Sequence, residues 1–139
     1  MFGLMAAVAL QVGAAKTVPV AAKHWWNPSG VAVRRGEVYA IEVPPDQHWR
    51  DASHETDAGG YELEKLNRFI RSRRRPDQKW FALIGAVGKD EKASFPVGLD
   101  GIHEWTAPAD GELFFYANDV KVMYWNNHGK IDVVVRRVR

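Results

Sequence analysis

Cysteine is absent from the 139 residues. That excludes disulfides, thiol nucleophiles and zinc sites of the cysteine type. A long hydrophobic run is also missing. The apolar stretch 2–15 is too short to cross a bilayer, which takes roughly 20 residues. A large charge of one sign is missing too: the formal net charge of +2 is too small to call for nucleic acid as a partner. None of the five histidines, His24, His48, His54, His103 and His128, has the helical spacing to glutamate that a zincin needs. There is no serine nucleophile elbow and no phosphate-cradling glycine loop. An enzyme is therefore not expected, although a glycosidase carboxylate pair is defined in space and sequence leaves it open. Internal repeats and low-complexity segments are absent.

What remains is the composition of an ordinary globular domain, long enough to bury its own core. Residues 1–15 read as the remnant of a secretory signal, with small residues at Gly13 and Ala15 but no preceding positive charge. The alternative is an N-terminal strand or helix lying on the core. The first reading gives a single domain over 16–139 in a secreted or periplasmic protein, the second leaves the cytoplasm open. Strands are expected at Thr17–Ala22, Val31–Val33, Val38–Val43, Trp80–Val87, Ile102–Thr106, Glu112–Asn118 and Lys130–Val138, from short alternating or wholly apolar runs. Asn27-Pro28-Ser29-Gly30 and Ala107-Pro108-Ala109-Asp110-Gly111 read as turns. Residues 46–79 form a polar middle, within which Leu63, Leu66, Phe69 and Ile70 have helical spacing. This pattern predicts an all-β fold, an antiparallel β-sandwich of jelly-roll type, with a polar, partly helical insertion around 55–75.

The segment Asn118–Gly129 joins two of these strands and gathers Asp119, Asn126 and Asn127 at one strand end. Oxygen donors in such a loop suit a hard cation such as Ca²⁺, which takes about six to eight oxygens. The same residues also make ordinary turns, because Asn and Asp tolerate left-handed backbone and bond their own main chain. Both readings stand on local grounds. Trp125, in the loop, can stack on a sugar or pack on an edge, whereas Trp26, Trp49, Trp80 and Trp105 read as core. The basic run Arg68, Arg71, Arg73, Arg74 and Arg75 reads as a solvated face, with an anionic polymer as the alternative partner.

Taken in order, His48-Trp49-Arg50-Asp51, Arg75-Pro76-Asp77-Gln78, the framework runs 80–88 and 107–113, and the loop 118–129 resemble the Pseudomonas-type calcium-dependent galactophilic lectins and the related bacterial galactose-binding-like domains. The resemblance covers roughly 17–136. It implies a non-catalytic lectin whose Ca²⁺ is held by Asp119, Asn126 and Asn127, by the backbone carbonyl of Met123, and by a carbonyl at Ala52 or Asp51. The ion would take two sugar hydroxyls directly. Asp119, Val120, Asn126, Gln78, Arg75 and Trp125 become the expected carbohydrate contacts, a galactoside the expected ligand, and a homo-oligomer the source of avidity. The chain departs from the family at Arg75, where a histidine is usual, and at Lys121-Val122-Met123, where small residues are usual. Both put galactose specificity in doubt while sparing the metal ligands. The remaining alternatives are a structural or protein-interaction domain that has lost sugar binding, and a basic-patch binder.

Overall fold

The computed structural model of the chain describes residues 6–139. It is the expected all-β sandwich. One sheet has the strand order β1 (Val8–Ala9), β3 (Asn27–Val33), β10 (Gly111–Ala117), β7 (Leu83–Val87), β8 (Ser94–Pro96). The other runs β6 (His54–Thr56), β5 (Trp49–Asp51), β11 (Asn127–Arg137), β4 (Val38–Glu42), β9 (Ile102–Thr106), and β2 (Ala15–Ala21) also pairs with β11. Every pairing is antiparallel except that of β1 with β3. Of the segment read as a signal remnant, residues 1–5 lie outside the described residues. Beyond them Val8 and Ala9 pair with Val31 and Ala32, and Gly13 N–H donates to the Arg137 carbonyl at 2.8 Å.

The period-two alternation of the apolar runs fills the space between the sheets. Val18 and Val20, Val31 and Val33, Tyr39 and Ile41, Leu113 and Phe115, and Ile131, Val133 and Val135 are all buried in one cluster. Each such side chain contributes about 1.5–3 kcal/mol when fully buried. β7 is buried along its whole length, as its unbroken apolar run predicts. Gly85 within it has no room for a side chain, because a Cβ there would lie 2.6 Å from the Phe95 ring.

Two expectations are corrected. Asn27-Pro28-Ser29-Gly30 is the first half of β3 and not a turn. Asn27 makes this possible by using its amide as a substitute peptide group. Its Oδ1 accepts from Ala21 N–H at 2.9 Å, and its Nδ2 donates to the Ala21 and Phe115 carbonyls at 3.0 and 3.2 Å. The polar middle carries a hairpin, β5–β6, as well as a helical piece. That piece is a 3₁₀ helix over Glu64–Ser72 with no buried residue. The hairpin was hidden in sequence because only Trp49 and Thr56 of its six strand residues are buried.

Candidate cation and ligand site

The end of β10, the 3₁₀ turn Lys121–Asn126 and the start of β11 form the loop expected to hold an ion. Asn118 anchors it. This wholly buried amide accepts from Arg75 N–H at 2.9 Å and donates to the carbonyls of Arg75, Gln78 and Lys79 at 2.9, 3.1 and 3.0 Å. Tyr124 anchors the other half of the loop: it is buried, and its hydroxyl donates to the Ala117 carbonyl at 2.5 Å. The loop is thus fixed by groups other than the three expected ligands.

Two of those ligands, Asp119 and Asn126, line one cleft of about 440 Å³, and Asn127 is not among its lining residues. Asp51, Ala52, Tyr61, Asp119, Met123 and Asn126 are among the residues lining it. Asp119 is 3% exposed. Its Oδ1 accepts from Val120 N–H at 2.7 Å. Its Oδ2 is buried with no hydrogen-bond partner, and so are Oδ1 of Asn126 and Oδ1 of Asn127. Among the described residues, no other buried carboxylate or amide oxygen is left in this state; the remaining unpartnered atoms are four nitrogens and the Tyr116 hydroxyl. Leaving a buried acceptor unpaired costs about 1–3 kcal/mol. Three such acceptors in one loop match the donor chemistry of a hard cation, so the residues fit Ca²⁺.

The electrostatics point the same way. Burial pushes the Asp119 carboxyl up to about 7; the nearby Asp51 carboxylate adds to the rise, and the Val120 N–H and the Asn127 amide partly offset it. Asp51 is itself raised, chiefly by burial, with the Tyr61 hydroxyl and His54 pulling in the opposite direction. A bound cation would neutralise this charge and return Asp119 to its ionised form.

Ala52 lies in the β5–β6 turn with φ +51°. Such backbone costs a residue with a side chain roughly 1–2 kcal/mol. The turn is held by Ala52 N–H donating to the Asn126 carbonyl at 3.0 Å, which ties the hairpin to the loop. Phe81, at φ +62°, is pinned in the same way by donating to the Asn118 carbonyl at 2.7 Å. Both strained residues are therefore held by main-chain hydrogen bonds to the segment 118–126.

The expected sugar contacts divide. Asp119, Val120 and Asn126 line the cleft, whereas Gln78, Arg75 and Trp125 are not among its lining residues. Arg75 makes a two-point pair with Asp77, at 3.0 and 2.7 Å, and donates to the Ser94 carbonyl at 2.9 Å. Gln78 Nε2 donates to the same Asp77 carboxylate at 3.3 Å. Trp125 is 71% exposed. Sequence reasoning did not single out Tyr61 and His54 as site residues, and considered Asp51 only as a backbone donor. Strand pairing brings Asp51 and His54 together across the β5–β6 hairpin, and no local motif announces them.

The arginine run divides: Arg68 and Arg71 are exposed as expected, whereas Arg73 and Arg74 are not part of a solvated face. The Arg73 and Arg74 side chains are 4% and 1% exposed, and pair with Glu62 and Glu91 at 2.8 and 2.9 Å. The Arg74 guanidinium lies 3.5 Å from the centroid of the Tyr116 ring and 4.5 Å from that of Trp26. It also donates to the Tyr124 hydroxyl at 3.0 Å, so it braces the loop from behind. Cation–π contact with two rings explains how a buried guanidinium is tolerated there.

A β-sandwich with unpartnered oxygens gathered in a loop at one end defines the class of architecture. No family model matches the chain, and no curated protein does. Among solved structures it is similar to the N-terminal domain of EclA, described as a PllA-like lectin, with a TM-score of 0.62 and 26% identity over 88% of this chain and 94% of that one.

Proposed function

We propose that this domain binds carbohydrate without catalysis, through a Ca²⁺ ion held by Asp119, Asn126 and Asn127. The backbone carbonyls of Met123 and Ala52 are the further protein donors, and hydroxyls of a galactoside-like sugar complete the shell. When bound, the ion supplies coordination positions that hydroxyl oxygens can fill. The observation that carries this reading is the set of three buried, unpartnered oxygens on the three side chains named. The similarity to a lectin domain supports the sugar as the ligand and a binding protein over an enzyme.

The three named side chains bring one carboxylate and two neutral amides, oxygen donors of the kind calcium takes. A single sugar would bind weakly, because its hydroxyls exchange water hydrogen bonds for protein ones at small net gain. Several sites in one oligomer would then supply avidity. The internal engagement of Arg73 and Arg74 disfavours the anionic-polymer alternative. A glycan array probed in calcium and again in chelator tests the proposal. Binding to galactose-terminated glycans that chelator abolishes is the expected result. Glycan binding that survives chelator would remove the ion from the mechanism.

A further inference from the structure

We infer that Asp51 supplies a second carboxylate to the cation site, so that the site carries two formal negative charges. The inference rests on the calcium reading above. It begins with strand register: β5 and β11 pair antiparallel with Asp51 directly opposite Asn127. Opposed residues project from the same face of the sheet, with Cβ atoms about 4.5–5.5 Å apart. The Asp51 side chain therefore leaves the sheet on the face of the Asn127 amide, whose Oδ1 is buried and unpartnered. Asp51, Asn126 and Asp119 all line the same cleft.

Asp51 is also held in a way that leaves an oxygen free for an ion. Its Oδ2 accepts from the Tyr61 hydroxyl at 2.6 Å. Among the described residues its Oδ1 takes part in no hydrogen bond. Tyr61 in turn is fixed by stacking on His54, with centroids 4.9 Å apart and planes 11° from parallel, and by pairing its backbone with Trp80. The result is a carboxylate oriented by a rigid aromatic shelf. Lys65 and His54 also line the cleft, yet no ion pair among the described residues involves Asp51 or Asp119. Two carboxylates in one partly dry cleft, with no basic side chain bonded to either, form a receptor for a multivalent cation.

A structural role for Asp51 would make different predictions. Removing a ligand charge weakens binding of a trivalent ion more than of a divalent one, because the Coulomb energy scales with the product of charges. Removing a structural hydrogen bond weakens both equally. The test uses the full chain, wild type and Asp51→Asn, the latter keeping an oxygen for Tyr61. Calcium and terbium are titrated by calorimetry, and thermal unfolding is followed in chelator. Asp51→Asn is expected to lose about tenfold or more in calcium affinity and a larger factor for terbium. Its metal-free midpoint should hold or rise, since a like charge is removed. Unchanged calcium affinity overturns the inference and leaves the calcium site standing. Equal losses for both ions, or a lowered metal-free midpoint, assign Asp51 a structural role and also overturn it. Wild type that binds neither ion removes both the inference and the reading beneath it.

Discussion

Asn118 and Asn127 are both wholly buried asparagines flanking the same loop, nine positions apart in the chain. Asn118 has every polar atom engaged: its oxygen accepts once and its nitrogen donates to three carbonyls. Asn127 donates to the Ala22 carbonyl at 3.0 Å and leaves its oxygen unpartnered. The first is a scaffold residue that replaces missing backbone hydrogen bonds. The second keeps an acceptor in reserve. The same residue type at the same burial thus serves two purposes, and only the state of its oxygen separates them. Asn27 stands with Asn118, whereas Asn126 and Asp119 stand with Asn127.

The comparison can be broken first at its structural half. Asn118→Ala should destabilise the protein by on the order of 3 kcal/mol, because it strands several buried main-chain groups. Denaturant unfolding should show this loss equally in calcium and in chelator. A loss confined to calcium would move Asn118 to the functional group. Next in size is Asp119→Ala. Saturating calcium should stabilise wild type by about 2.7 kcal/mol at a hundred times the dissociation constant. The variant should lose that whole increment while its metal-free form stays folded, which differential calorimetry can check.

The pH dependence sharpens the same contrast. The folded-state value for Asp119, about 7, lies above its ordinary 3.8. The folded, metal-free protein therefore binds more protons than the unfolded chain between those values. Its stability from this group is fully present below 3.8 and is lost as pH rises through about 7. Calcium affinity runs the other way, because a proton competes for the carboxylate, and it should weaken as pH falls below about 7. Unfolding midpoints with and without calcium across that range should diverge upward in pH. Parallel curves would show that Asp119 is not where the ion binds. The smallest effect is expected at Arg75→Ala. Its guanidinium is committed to Asp77 and Ser94, so glycan binding should stay within about twofold of wild type, and stability should fall by no more than about 1 kcal/mol.

Much of this was readable from the chain, and the failures have physical causes. Unbroken apolar runs reported β7 and β10, and alternation reported β11, because burial on one or both faces writes directly into composition. The three side chains proposed as ligands could be named from sequence because they share one short loop. Asn27 misled because an amide that imitates a peptide group looks, in sequence, like a turn residue. Arg73 and Arg74 misled because a run of charge reads as solvent-facing, and nothing local discloses Tyr116, Trp26 and Trp80 waiting elsewhere in the chain. The Asp51 side chain and His54 were invisible as cleft residues because a hairpin in a polar stretch delivers them there. Long-range pairing built that part of the site, and a single sequence records no pairing.

The most direct test is a calorimetric titration of calcium into the metal-free protein, wild type beside Asp119→Ala. The account predicts saturable binding of one ion per chain in wild type and none in the variant, with both proteins folded by circular dichroism. Binding of equal affinity in the two, or a flat trace for wild type, would contradict it.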